Sequence, residues 1–462
     1  MEATPAFAGI DWSWQHHAMC IVDAGGRRIA EATLTHSRTG LSKITALLSR
    51  HGVARVGIER SDGPVVEHLL REGFEVVVIP ARQVRSLRAR YGSAGNKDDR
   101  FDAFVLADAL RTDAGRWAPV RPDTDDTIAL RMLIRARRDL IDHRIAVHNQ
   151  LLALLQHHFP GAVGLFSQLD LPISLAFLRR FPSEAKAAWF SPSRMAHWLK
   201  ANSYSGRHSA ADLNAHLREA VTGHTSGPAA EAGEVIVLTL VDLLSHLRTR
   251  QADLETRIKE ALLAHPDGPI FQSLPRAGAI RAATLLAEIG DCRARFPDAQ
   301  ALAAAAGVAP STRQSGKHRT VAYRRGCNTQ LRAALVDWAQ DTPRANPWAH
   351  DTYQRARQRG CRHPHAARIP AQAWTRILWR CRHDHQPYNP DLHGRLHTLH
   401  QQAARHRALS SAASRRRTKR SCPGSTASTA TARPSGSGTC RPRRTSRARN
   451  RRCCTSSCPG RG

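Results

Sequence analysis

The sequence predicts an α/β domain at the N-terminus followed by a mainly α-helical remainder. Three observations carry this. Over the first hundred residues short apolar runs alternate with amphipathic stretches. From Thr127 onward apolar residues recur at helical spacing, and beyond about Ala408 periodicity gives way to Arg, Ser, Thr, Pro and Gly.

The elements follow in order. F-A-G-I-D-W-S, H-A-M-C-I-V-D and R-I-A-E-A-T-L-T, with a turn at Gly25-Gly26, read as three hairpin-connected strands. Next come a helical stretch T-G-L-S-K-I-T-A-L-L-S-R, the strand A-R-V-G-I-E-R, the helix P-V-V-E-H-L-L-R-E and the strand E-V-V-V-I-P. Three antiparallel strands followed by alternating helices and strands predict a ribonuclease-H-like domain over residues 1–125.

Residues 126–265 read as a helical linker region. One long helix spans Thr127 to Phe159, with Leu133, Leu140, Val147 and Leu154 at seven-residue spacing. A second runs from about Glu231 to Ala264, with Leu240, Leu244, Leu247, Leu254 and Ile258 on one face. A coiled-coil arm and an ordinary bundle both fit that pattern. The stretch between them, 160–230, is irregular and helical, and carries no assignable chemistry.

Residues 266–390 form a third, mainly helical domain. Near its start Pro275, Gly278 and an Ala-rich helix resemble a helix-hairpin-helix, whose small-residue turn lets backbone N–H groups meet a phosphate; a plain packed helical hairpin is the alternative. Residues 391–462 are a basic low-complexity tail, predicted to be disordered because it cannot bury enough apolar surface to fold.

Composition narrows the partner. The 462 residues, 41% of them hydrophobic, suffice for two or three packed domains. Lys and Arg number 69 against 38 Asp and Glu, a formal charge of +31, and 17 of the 69 follow Leu392 with no acid among them. Such a surplus points to a polyanion, nucleic acid first. Apolar runs fall short of the roughly 18 residues of a membrane span, and the expected location is the cytoplasm, in association with the nucleoid. The 10 cysteines are scattered or lie in the tail, so free thiols are expected. C-R-H-P-H at 361–365 and C-R-H-D-H at 381–385 match no common zinc-finger spacing. Trp348, Trp374 and Trp379 fall in helix-like stretches and are expected in the core.

Two constellations bear on chemistry. In N-K-D-D-R-F-D, residues 96–102, neighbouring acids are either a helix start favoured by the macrodipole or part of a hard-metal site. Asp11 follows the strand A-G-I and Glu59 ends the strand R-V-G-I; in a ribonuclease-H-like sheet those strands are neighbours. Asp99 and Asp102 lie three apart on one helix face. Four converging carboxylates suit two Mg²⁺ ions at a phosphodiester, with Asp98 left over. The second constellation is A-G-V-A-P-S-T-R-Q-S-G-K-H-R, residues 306–319, where Ser315 stands among Arg313, Lys317, His318 and Arg319. It reads either as a nucleophile with cationic support or as a phosphate-contacting turn. Arg276, Gly278, Arg313, Lys317 and Arg319 are the expected nucleic-acid contacts.

Taken in order, G-I-D-W-S, G-I-E-R-S-D-G, N-K-D-D-R-F-D-A, L-P-R-A-G-A-I-R-A-A-T-L-L-A-E-I-G-D, R-F-P-D-A-Q-A-L-A-A-A-A-G-V-A-P-S-T-R-Q-S-G-K and R-R-G-C-N-T-Q-L-R-A-A-L resemble the IS110 family of insertion-sequence transposases, from about Phe7 to Pro390. The resemblance implies a RuvC-like domain with a D-E-D-D tetrad on Asp11, Glu59, Asp99 and Asp102, a coiled coil, and a transposase domain whose nucleophile falls on Ser315, with Ser311 the second choice. It further implies Mg²⁺, a homodimer or tetramer, DNA as substrate and a bridge RNA as guide. The tail lies outside the family pattern. Two rivals remain: a structure-selective junction nuclease of the RuvC type, and a decayed, non-catalytic nucleic-acid-binding protein.

Overall fold

A computed structural model describes residues 5–91, 98–316, 318–393 and 401, the side chains of Ala114 and Arg319 excepted. Asn96, Lys97, Lys317 and nearly all of the basic tail lie outside the described residues. The architecture below belongs to one compact unit, residues 1–399.

Strands β1 (Ala6–Trp12), β2 (His16–Val22) and β3 (Arg28–Thr35) form an antiparallel meander. Helix α1 (Arg38–Arg50) starts where the Ser37 hydroxyl accepts a hydrogen bond from the Gly40 N–H at 3.1 Å. Strand β4 (Val53–Ile58) then pairs parallel with β1, helix α2 (Pro64–Arg71) opens on a proline suited to a first turn, and β5 (Glu75–Val78) pairs parallel with β4. The order is β3-β2-β1-β4-β5, a mixed sheet. Helices α3 (Ala81–Arg88) and α4 (Asp99–Thr112) complete this region.

Helices cover both faces of the sheet, so its inner strands are apolar on both sides. Ile10, Ile58, Val66 and Leu69 pack with Ile44 and Leu48 of α1 on one face. Val77 and Val84 pack with Val105, Leu106 and Leu110 of α4 on the other. β3 at the edge alternates half-buried and exposed positions, as a one-sided strand does.

The contact that sets this layer is unusually close. Gly9 of β1 and Gly57 of β4 are register partners. A Cβ on Gly9 would stand 2.1 Å from the Ala103 carbonyl oxygen and 2.5 Å from the Ala107 nitrogen; one on Gly57 would stand 3.0 Å from the Leu106 carbonyl oxygen. Helix α4 therefore rests on the strand backbones themselves, in a trough that only glycine leaves open.

The rest of the chain is organised on two long helices, α5 (Asp125–His158) and, after α6 (Pro172–Arg180), α7 (Glu184–Ala187), α8 (Pro192–Ala201) and α9 (Ala210–Glu219), α10 (Pro228–Ala264). They run antiparallel and carry a separate apolar cluster at each end. Val147, Leu151 and Leu155 meet Val237, Val241 and Leu244 beneath α6 to α9. Leu130 and Ile134 meet Ile258 and Leu262 at the other end, against the C-terminal helices. The seven-residue stripe expected from sequence is only partly the buried one: Leu133 and Leu154 are half-buried, while Leu130, Ile134, Leu151 and Leu155 are fully packed. The stripe turns because each helix also faces the short helices beside it, which widens the apolar face beyond a two-helix seam.

C-terminal to these lie α11 (Gly268–Gln272), α12 (Gly278–Ile289), α13 (Ala299–Ala305), a hairpin of β6 (Ser311–Ser315) and β7 (His318–Ala322), α14 (Thr329–Asp341), α15 (Pro347–Gln358) and α16 (His363–His383). Trp338, Trp348 and Trp374 form the centre of this cluster, and the indole N–H of the half-buried Trp379 donates to the Phe296 carbonyl at 2.8 Å. Among the described residues no helix is long and apolar enough to cross a membrane.

The glycine trough makes a graded prediction. Gly9→Ala should destabilise the fold by ~3 kcal/mol, because the new methyl meets backbone that cannot yield, whereas Gly57→Ala should cost only ~1 kcal/mol. Chemical denaturation of the two variants checks the order; equal and negligible losses would show that α4 does not rest on the strands.

Candidate active site

The trough also places three carboxylates. Side chains alternate along a strand, so Asp11 shares the face of Gly9 and Glu59 continues the face of Gly57. Ile10 and Ile58 are register partners, and the two acids leave neighbouring parallel strands side by side. Asp102, in the first turn of α4 just before the residues that touch Gly9, is 2% exposed. Asp11, Glu59 and Asp102 line one cavity of about 340 Å³ at the C-terminal ends of β1 and β4.

The two neighbouring acids of the N-K-D-D-R-F-D stretch are placed differently. Asp99 is exposed and does not line the cavity. Three residues of helix rise ~4.5 Å, which sets Asp99 beyond the edge that Asp102 faces. Asp98 is the N-cap of α4, its carboxylate accepting from the Arg100 N–H at 3.2 Å. An Asp at a helix start is the pattern from which this role is legible.

Cations balance the acids. Arg60, Arg85 and Arg88 line the same cavity. The half-buried Arg88 donates to Oδ2 of the buried Asp102 in an ion pair. The other oxygen, Oδ1, is buried without a hydrogen-bond partner. Sequence reading missed these arginines; the one signal available was their spacing of three on α3, which puts Arg85 and Arg88 on one face.

The donor set fits a hard divalent cation: carboxylate oxygens of Asp11, Glu59 and Asp102 around one cavity, one of them buried and unsatisfied. As the side chains stand, no group of three or more His, Cys, Asp or Glu among the described residues is close enough together to hold a metal ion.

An aromatic cluster adjoins Asp11. Trp12 lines the cavity beneath the Arg60 guanidinium, which lies 5.0 Å from its ring centroid. Trp14, His17 and His36 pack around it. His17 is fully buried, with Nε2 3.0 Å from His36 Nδ1 and its own Nδ1 unpartnered. Burial first, then the neighbouring charges of His36 and His16, push its pKa down to about 4.

The second constellation sits elsewhere. Ser315 ends β6 at the tip of the exposed hairpin, before Gly316 at φ +56°, and is the register partner of His318. Ser311, Arg313 and Ser315 share one face of β6. Ser311 is half-buried at the hairpin root, paired with Ala322. Ser315 does not line the carboxylate cavity. Lys317 lies outside the described residues, as does the side chain of Arg319.

The turn before α12 is tight, with Arg276 at φ +61° and Gly278 at φ +58°, and space around Gly278 is open. The Arg276 guanidinium is 3.2 Å from the Asp341 carboxylate, which also meets Arg281 at 2.8 Å. Its charge is thus already engaged within the fold.

Comparison with known proteins adds the family. Residues 8–160 match a DEDD-type IS110 model described as a transposase, and residues 268–354 match the transposase IS116/IS110/IS902 family. A mini-circle putative transposase for IS117 from Streptomyces coelicolor is 33% identical over 403 residues, 84% of this chain and 96% of the relative. A putative transposase of Sinorhizobium fredii is 34% identical over 200 residues, 42% of this chain and 56% of that protein. An IS900 insertion-element protein of 42 kDa from Mycobacterium paratuberculosis is 26% identical over 84% of this chain and 98% of its own length.

The buried imidazole predicts a pH dependence. In the unfolded chain His17 takes up a proton near its ordinary value of 6.5, in the folded chain only near 4. The stability it allows is therefore complete above pH 6.5 and is lost as pH falls toward 4, by up to ~3 kcal/mol, without further loss from this group below that. His17→Phe should flatten the stability profile between pH 6.5 and 4.5, measured by urea denaturation; an unchanged slope would mean that His17 is not buried neutral.

Proposed function

Because the chain belongs to the IS116/IS110/IS902 family of transposases, whose members act on DNA, we propose that it excises and inserts an insertion sequence by cutting and rejoining DNA strands. The observation that carries the reading is that Asp11, Glu59 and Asp102 line one cavity at the C-terminal ends of the neighbouring strands β1 and β4. The order β3-β2-β1-β4-β5 supports a ribonuclease-H-like, RuvC-related domain over residues 1–125. In the same reading residues 126–265 are a coiled-coil linker, 266–390 the transposase domain and 391–462 a basic tail.

In this mechanism Asp11, Glu59 and Asp102, with Asp99 as a fourth acid in the same helical turn, would hold Mg²⁺. When bound, the metal supplies Lewis-acid stabilisation of charge on the phosphodiester. Arg88 neutralises Asp102 in the protein as it stands, and Arg60 and Arg85 attract the phosphate backbone to the cavity mouth. Ser315 Oγ attacks phosphorus, forming an Oγ–P bond as one P–O bond of the strand breaks. His318, its partner across the hairpin, takes the Oγ proton, and the departing DNA oxygen takes up one from water, so that protons balance. Rejoining reverses these steps with a new DNA hydroxyl, so the phosphoester count is conserved. Arg313, Lys317 and Arg319 supply cationic support, and Arg276 with Gly278 a backbone contact. Because Ser315 does not line the carboxylate cavity of its own chain, a homodimer or tetramer would be needed to bring a serine to it; a bridge RNA as guide is what the family resemblance adds.

That separation also favours one rival, a RuvC-type junction nuclease, which needs the acids and not the serine. Expression beside the DNA that flanks the gene, with assay of the excised circular junction, decides. Wild type should form the junction, while Asp11→Asn and Ser315→Ala should each reduce it at least 100-fold, about 3 kcal/mol of barrier. Loss in Asp11→Asn alone would support the nuclease. Equal activity in all three would overturn the site, and an inactive wild type would favour a non-catalytic nucleic-acid-binding protein.

A further inference from the structure

We propose that a second cavity, between the root of the β6–β7 hairpin and helix α16, binds a backbone phosphate of a nucleic-acid strand. It measures about 360 Å³ and takes its walls from the turn before β6, the end of β7 and the first half of α16. That is the lower end of the size range of small-ligand sites.

Its chemistry is one-sided. Helical spacing brings His365, Arg368 and Gln372 of α16 to one face, opposite Tyr323 and Arg324 at the end of β7. No acid lines the cavity. Among the described residues no ion pair involves Arg324, His365 or Arg368, although other half-buried arginines of the chain are met by carboxylates, as Arg281 is by Asp337 and Asp341. Cations gathered without counter-charge repel one another; a phosphate turns that cost into charge-assisted hydrogen bonds.

The site is also pre-shaped. The Arg368 guanidinium lies 4.6 Å from the Tyr323 ring centroid, and that of Arg332 lies 4.5 Å from it. Arg332 is committed elsewhere, donating to the Tyr323 hydroxyl and, at 2.9 Å, to the Arg324 carbonyl. Tyr323 is thereby fixed, and through the cation–π contact it holds Arg368 at the cavity. Arg324 donates through Nε to the Ala309 carbonyl at a long 3.4 Å, leaving its other N–H groups for a ligand.

Position ties the cavity to the hairpin tip. Ser311 at the root pairs with Ala322 and stands four residues from Ser315, ~14 Å along the strand. A phosphate in the cavity and one at the tip are therefore only a few nucleotides apart, close enough to belong to one strand. The inference rests on the nucleic-acid partner proposed above and not on Ser315 being the nucleophile.

The test uses the full chain and fluorescence anisotropy across a salt series, with single-stranded DNA, duplex DNA and RNA of one sequence as probes. Arg368→Ala should weaken binding about fivefold or more and reduce the slope of log affinity against log salt by about 1 on at least one probe, which identifies the strand bound. Its melting temperature should stay that of wild type. Arg368→Lys should restore the slope. Wild-type affinity and slope for Arg368→Ala on all three probes would overturn the proposal. So would a loss that lysine does not rescue and that comes with a lowered melting temperature. A wild type that binds no probe would overturn this inference and the nucleic-acid reading together.

Discussion

Helix α4 touches the backbones of β1 and β4 with no side chain between them at Gly9 and Gly57, and the carboxylate edge depends on that contact. Once the helix axis is held so close to two parallel strands, the residue a turn before the contact must lie beside the strand ends. That residue is Asp102. Strand alternation puts Asp11 and Glu59 on the same face, two residues beyond the glycines. Gly-Ile-Asp and Gly-Ile-Glu are therefore one device used twice: glycine admits the helix, isoleucine anchors the opposite face, and the acid is delivered to the edge.

Three carboxylates delivered in this way repel one another, and the same layer supplies the remedy. Arg60, Arg85 and Arg88 match them in number around the cavity. Of the three only Asp102 is deeply buried, and it is ion-paired with the half-buried Arg88. Breaking such a pair strands a charge in a low-dielectric site, so Arg88 contributes to the fold as well as to the cavity. The helical region is held by a different logic. One antiparallel pair, α5 and α10, carries an apolar cluster at each end, with Arg137 and Glu255 paired at 2.8 Å between them. Because the same two helices line both clusters, a change in their register would be felt in each.

Much of this was legible in the sequence, for identifiable reasons. β1 to β5 are short apolar strings between turn residues, and Pro64 and Asp98 mark helix starts by the chemistry of a first turn. The adjacency of Asp11 and Glu59 follows from strand order alone. Arg88 was not legible, since a basic helix reads as a solvated face until its partner, fourteen positions later, is seen across the fold. Nor was the division between Asp99 and Asp102, because spacing gives a shared face but not where the neighbouring sheet ends. The buried stripe of α5 escaped a seven-residue reading because its neighbours are several short helices as well as the one long helix α10. Tyr323 and Arg368 lie forty-five positions apart and carry no local pattern at all.

The hairpin poses the remaining physical question. A lone two-stranded ribbon is marginally stable, and from Thr312 to Ser315 this one is exposed. Its order must come from the root, where Arg332 grips the Tyr323 hydroxyl and the carbonyls of Arg324 and Arg325, and where Gly307 lets the chain pass close to Cys327 and Arg332. The tip is therefore positioned by leverage over ~14 Å of ribbon, while the carboxylates are positioned by direct contact with a packed helix. Groups that must hold a hard cation need the second kind of support, because small errors in ligand placement weaken coordination. A nucleophile that first meets its phosphate on a bound strand can accept the first kind, provided the strand is gripped near the root. For the reading proposed above, the cationic cavity at the root is where that grip belongs.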